Sequence, residues 1–257
     1  MSRLKVESLT CRFGGLIANN QISFDVPVSG ITAVIGPNGA GKTTLFNMIS
    51  GFIAPTEGRV FFEGQEITAH APEEIAARGL VRTFQLTQLF QNLTVLENVK
   101  VGRHVRTKAG VFAALFRPAS ARREEAQTTQ RACELIDLVG LSAQTHVLAS
   151  TLPYGQQRLL EIARAMAADP RLLLLDEPAA GLNHEETEKL AILIRRISDT
   201  GATVLLIEHD MRLVMNTADK IVVINFGRKI AEGTPAQIQE NPDVIEAYLG
   251  GAEMLDG

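Results

Sequence analysis

The chain has 257 residues, 46% of them hydrophobic, with 25 Lys and Arg against 29 Asp and Glu for a net charge of −4. That is enough apolar material for one large domain or two small ones, and the slight acidic balance excludes the basic surplus of a general nucleic-acid binder. Two cysteines without metal-ligand spacing exclude a disulfide framework and suit a reducing compartment, and no apolar run approaches the roughly 20 residues that span a bilayer.

The N-terminal stretch alternates charged and apolar residues without the apolar block of a secretory signal, and Leu4–Thr10 reads as a strand. Ile31–Ile35 is a short β-branched run. It leads directly into Gly36, Pro37, Asn38, Gly39, Ala40, Gly41, Lys42, Thr43 and Thr44. Leu45, Met48, Ile49 and Phe52 then recur at helical spacing, with Gly51 as a stop. A turn at Pro55–Gly58 precedes a strand at Arg59–Glu63. From about Pro72 to Gly140 the pattern is mainly helical, including Val95–Val105 and Arg122–Val139, and it is interrupted at Thr107–Ala121. That interruption reads either as an insertion that meets a partner or as a solvated helical hairpin. Beyond Leu152, helices at Gln156–Ala168 and His184–Ser198 alternate with apolar strands at Arg171–Leu175, Ala202–Ile207 and Ile221–Ile224. Continuous apolar strands separated by helices indicate a mostly parallel sheet covered on both faces. The tail at Pro235–Leu249 reads as one or two short helices.

Gly36, Gly41, Lys42 and Thr43 match G-x-x-x-x-G-K-[ST] between a strand and a helix. Glycines let backbone amides turn inward around phosphate oxygens, and the helix beginning near Gly41 directs its positive end at the same anion. Lys42 supplies a point charge for terminal phosphates, and the Thr43 hydroxyl supplies a magnesium ligand. The bland alternative is a glycine-rich turn with a chance lysine. The second half of such a site is a strand ending in acid, and Leu172–Leu175 followed by Asp176 and Glu177 provides it. Asp176 is the candidate magnesium ligand, and Glu177 is the candidate base for the attacking water. Paired carboxylates elsewhere are often only a solvated loop.

Together these halves resemble the nucleotide-binding subunit of an ATP-binding cassette (ABC) transporter. The resemblance implies an α/β P-loop NTPase domain over 1–257: a mostly parallel sheet core with an antiparallel β region, a helical subdomain and a C-terminal tail. The core would take 1–84 and 158–250, the helical subdomain about 86–157 and the tail 233–257. ATP and Mg2+ would bind there. Gln85, in Val81-Arg-Thr-Phe-Gln85, looks like the family's glutamine that contacts magnesium and attacking water. His209 looks like the switch histidine on the γ-phosphate, and Phe13 lies where an aromatic stacks on adenine. A lone glutamine or histidine is otherwise more often structural.

The family signature, usually Leu-Ser-Gly-Gly-Gln, reads Leu152-Pro153-Tyr154-Gly155-Gln156 here. Tyr154, Gly155 and Gln156 would cap the ATP of a second ATPase subunit, and Asn183 stands where aspartate is usual. The stretches at Phe13–Ala18, Val81–Gln85, Leu152–Gln157 and Gly233–Gly250 look like the ATPase subunit of branched-chain amino acid importers. That likeness implies two transmembrane permease subunits as partners and a peripheral place on the cytoplasmic face of the membrane. It also implies no nucleic acid and no direct contact with the transported substrate. Rival readings are a urea, amide or lipopolysaccharide system, an ABC protein for DNA repair, or a nucleotide-gated regulatory module with little turnover. The coiled-coil heptads that the DNA-repair reading requires are missing from the sequence.

Overall fold

The computed structural model describes residues 2–83, 89–103 and 119–253. In chain order the strands are β1 (Ser2–Phe13), β2 (Leu16–Pro27), β3 (Ile31–Ile35), β4 (Glu57–Phe62), β5 (Gln65–Glu66), β6 (Leu80–Arg82), β7 (Leu172–Asp176), β8 (Thr203–Ile207), β9 (Lys220–Asn225) and β10 (Arg228–Gly233). The helices are α1 (Lys42–Ile49), α2 (Pro72–Ala77), α3 (Val95–Gly102), α4 (Ala119–Leu138), α5 (Tyr154–Met166), α6 (His184–Asp199), α7 (Met211–Thr217), α8 (Pro235–Gln239) and α9 (Pro242–Glu253).

The apolar strands form the centre of a six-stranded sheet ordered β10-β9-β3-β8-β7-β6, in which only the edge strand β10 pairs antiparallel. Successive side chains point to opposite faces of a strand, so a continuous apolar run fills two cores at once. Val34, Leu172, Leu174, Leu205, Ile207 and Val222 face one core, where Leu45 and Phe46 of α1 meet Leu4, Phe24 and Phe62 of a second sheet. That antiparallel sheet runs β2-β1-β4-β5, so α1 lies between the two sheets. Ala33, Ile35, Leu173, Leu175, Val204 and Leu206 face the other core, beneath Leu160 of α5 and Ile194 of α6. The same core extends to Val95 and Val99 of α3 and Leu135 of α4. Among the described residues no helix is long and apolar enough to cross a membrane.

Periodicity reads Pro72–Gly140 as mainly helix, and there the structure differs. Leu80–Arg82 is an edge strand, parallel to β7 with Leu80 opposite Leu172 and Arg82 opposite Leu174. Three residues carry too little alternation to announce a strand, and the pairing comes from the apolar edge that β7 offers. β2 was also hidden in the sequence. Its ladder with β1 shifts register between Val6 and Leu9, where Ser8 takes φ 47°, and Gln21 of β2 takes φ 53°. Such bulges break the period-two pattern. Phe52 is expected on the apolar face of the first helix, but α1 ends at Ile49 and Phe52 is half-exposed beyond it. Most of Thr107–Ala121 lies outside the described residues, and from Ala119 onward the chain is helical.

Candidate active site

Three adjacent parallel strands deliver the chemistry to one edge. β3 ends at Ile35 and opens the glycine loop, its neighbour β8 ends at Ile207 and opens the turn with Glu208 and His209, and β7 ends in Asp176 followed by Glu177. The carboxyl ends of parallel strands are where such sheets place ligands. β6 runs toward the same edge, but Gln85, which follows it, lies outside the described residues.

The loop at 36–44 is shaped by close approach. A Cβ at Gly36 would collide with the Ile224 carbonyl oxygen. Gly41 stands at φ 98°, and a Cβ there would press against Ala18 and Asn19. The Asn19 side-chain amide donates to the Gly41 carbonyl at 3.1 Å, and the Gly227 amide donates to the Ala40 carbonyl at 3.0 Å, so β2 and the β9–β10 turn pin the loop. No side chain caps α1 and no acid occupies its first turn. Its first amides and dipole therefore face the loop's interior, a natural place for an anion. Buried Lys42 donates from Nζ to the carbonyls of Gly36 at 2.7 Å and Pro37 at 2.9 Å. Burial lowers its pKa, opposed by the fields of Glu177 and Asp176. Thr43 is exposed and Thr44 half-buried at the start of the helix. On α9, burial of the Tyr248 hydroxyl raises its pKa to about 12.

Asp176 is only 2% exposed and is clamped by Arg82, whose guanidinium donates to Oδ2 at 2.7 Å. The other guanidinium nitrogen donates to Asn47 Oδ1 at 2.7 Å and Ser50 Oγ at 2.8 Å on α1, and the group lies over the rings of Phe46 and Phe52. Arg82 thus ties the edge strand, the glycine-loop helix and the acid together. Among the described residues the buried Asp176 Oδ1 has no hydrogen-bond partner. A buried carboxylate oxygen with its second lone-pair set unused fits a hard cation, and no set of three His, Cys, Asp or Glu competes for one among the described residues. A magnesium ion would therefore share Asp176 with the Thr43 hydroxyl and substrate phosphates rather than sit in a protein cage.

Glu177 stands in the left-handed region at φ 46°, which is strained for a residue with a side chain. Its amide donates to the Ile207 carbonyl at 3.0 Å, and its carboxylate lies 3.8 Å from Nδ1 of His209, which is 56% exposed. Fully buried Glu208 directly follows β8, with Oε2 3.9 Å from Nδ1 of His209. Arg82 and Glu208 escape a reading by motif; only Glu208 carries a signal, an ionisable residue directly at the end of a buried strand.

Phe13 stands half-exposed at the tip of the β1–β2 hairpin, on the strand pair that Asn19 joins to the loop. Pro153, Tyr154, Gly155 and Gln156 begin α5 on a different element from the other site residues. Tyr154 is 45% exposed; Arg158 donates to its hydroxyl at 3.1 Å and stacks on its ring, and a Cβ at Gly181 would meet that ring at 3.0 Å. Asn183 caps α6 by accepting from the Glu186 amide at 3.0 Å, a role aspartate would fill equally well.

A strand, an amide-lined loop and a helix facing paired acids across a parallel sheet define a P-loop nucleotide-binding protein. Comparison with known proteins narrows the class. Residues 19–180 match the ABC transporter family model, and residues 228–253 match the model of the branched-chain amino acid ATP-binding cassette transporter. The chain is 49% identical to the high-affinity branched-chain amino acid transport ATP-binding protein BraF of Pseudomonas aeruginosa, over 98% of this chain and all of that one. It is 47% identical to LivG of Escherichia coli, a protein of the same description, over 97% and 98% of the two chains. The crystal structure of the ADP conformation of an ATP-binding cassette of an ABC transporter superposes with a TM-score of 0.85 at 34% identity, covering 97% of this chain and 99% of that one. The chain belongs to the ABC transporter family, and it is an ATPase subunit of that family.

Proposed function

We propose that this chain is the ATP-hydrolysing subunit of an importer for branched-chain amino acids, seated on the cytoplasmic face of the membrane against two permease subunits and a second ATPase subunit. The cargo reading rests on the relatives' descriptions and on the branched-chain match at 228–253. The hydrolysis reading rests on one observation above the others: adjacent parallel strands bring the Lys42 loop and the Asp176–Glu177 pair to the same carboxyl edge of one sheet.

In this reading the amides of 36–44 and Lys42 hold the triphosphate, Phe13 stacks on adenine, and Glu177 takes the proton of the attacking water. His209 contacts the γ-phosphate, and Thr43, Asp176 and Gln85 hold magnesium. Bound magnesium supplies charge neutralisation for the phosphate oxygens. Tyr154, Gly155 and Gln156 face the nucleotide of the second subunit, with about 86–157 as the arm that carries them.

Uptake of radiolabelled leucine, isoleucine and valine by a strain lacking this gene tests the proposal. Uptake is expected to fall and to return with the wild-type gene but not with Lys42→Ala. Unchanged uptake of these three, with loss of urea or amide uptake instead, would assign another cargo.

A further inference from the structure

Glu208 is a charged-type side chain with no exposure at all, and it sits directly before His209 at the end of β8. Both of its oxygens are used, and they reach two different loops. Oε1 accepts from the Ala179 amide at 2.8 Å, in the turn that follows Glu177. Oε2 accepts from the amides of His209 at 3.0 Å and Asp210 at 3.3 Å. Asp210 in turn caps α7, so this second loop is fixed at both ends. The first loop begins at the strained Glu177, whose amide is held by the Ile207 carbonyl on the same strand. Burial raises the Glu208 pKa, and its three amide donors oppose that shift. A buried carboxylic group is retained where its hydrogen bonds fix a geometry that an apolar residue could not.

We propose that Glu208 is a positioning residue for hydrolysis: it locks the turn carrying Glu177 to the loop carrying His209, so that base and γ-phosphate partner hold a fixed separation. The inference rests on the roles given above to Glu177 and His209. It adds that their alignment is set from behind, by one side chain that touches no substrate. A strained backbone persists only where its surroundings over-determine it, and the pair of bonds at Glu177 and Ala179 does that here.

Glu208→Gln isolates the effect, because glutamine keeps the shape but not the pattern of acceptors. Whichever way its amide turns, an NH2 group faces the N–H donors of one loop, so one loop is released. The measurement is steady-state ATP hydrolysis and ATP affinity of the transporter purified from membranes, for wild type, Glu208→Gln, His209→Ala and the double variant. Glu208→Gln is expected to lower kcat about tenfold to a hundredfold, as removal of an outer-shell partner does, with ATP affinity within about threefold. In the His209→Ala background the same change is expected to lower kcat by a smaller factor than in the wild type, because residues acting through one another are not additive. Amide hydrogen exchange at Ala179 or at His209 and Asp210 is expected to speed up in Glu208→Gln; this reads loop release even if turnover were lost for another reason. Wild-type kcat in Glu208→Gln, or effects of the two substitutions that multiply, would overturn the proposal. If His209→Ala itself kept wild-type turnover, the role of His209 and the inference built on it would both fall.

Discussion

The glycine-loop half of the site and the α5 half are built in opposite ways. Around the loop three charged side chains are buried and held: Lys42 on two carbonyls, Asp176 on Arg82, Glu208 on three amides. At the start of α5, Tyr154 is half-exposed and held by its own helix through Arg158, with Gly181 leaving room for its ring. On the proposed function, the difference follows from what each half must meet. A triphosphate held by one chain needs donors fixed before it arrives, since electrostatic preorganisation works only in rigid, dry surroundings. A surface that completes a site on another subunit must part from it, and an exposed helix end permits this. The departure from glycine at Tyr154 therefore falls on the half where bulk is tolerated inside the chain.

The largest expected effect lies in the locked half. Glu177→Gln should lower ATP turnover about a hundred- to ten-thousand-fold, the range of a lost general base, while ATP binding survives; single-turnover and equilibrium binding assays separate the two. Near-normal turnover would remove the base from Glu177. Next, Arg82→Ala should destabilise the fold by about 3–5 kcal/mol in urea denaturation, because it strands a buried carboxylate. A loss below about 1 kcal/mol would show that Asp176 does not depend on its clamp. Tyr154→Ala sharpens the contrast from the other side. It should change stability by about 1 kcal/mol or less and leave the chain's own ATP affinity within about twofold; a larger loss of affinity would place Tyr154 in the chain's own site.

The smallest effect is a slope. Burial lifts the Glu208 pKa above its ordinary 4.5, so the folded state holds that proton more tightly than the unfolded one. Its contribution is fully present below pH 4.5 and is lost as pH rises through the raised folded value. Glu208→Gln lacks this term. Relative to the variant, wild-type stability should therefore decline with rising pH across that window, and a flat difference would contradict the assigned burial effect.

Where apolar runs are long enough to be periodic, the fold could be read from residues alone. Ile31–Ile35 appears as a strand with those bounds, and Leu172–Asp176, Thr203–Ile207 and Lys220–Asn225 lie within a residue or so of the expected runs. Strands that owe their existence to a neighbour were illegible: β6 is three residues long, and β2 pairs through bulges. The placement of the lysine loop and the acids at one sheet edge was legible, because strand polarity alone puts both at carboxyl ends. Arg82 and Glu208 were not, since their importance comes from partners distant in sequence: Asp176 for one, Ala179 for the other. Single-residue motifs do not encode such pairings.

A crystal structure of the Glu177→Gln variant with ATP and magnesium tests the central claim most directly. The triphosphate should lie on the amides of 36–44, with its terminal phosphate between Lys42 Nζ and the turn at position 177, and with density for a cation against Asp176 Oδ1. Nucleotide bound elsewhere, or these two segments parted with nothing between them, would contradict it.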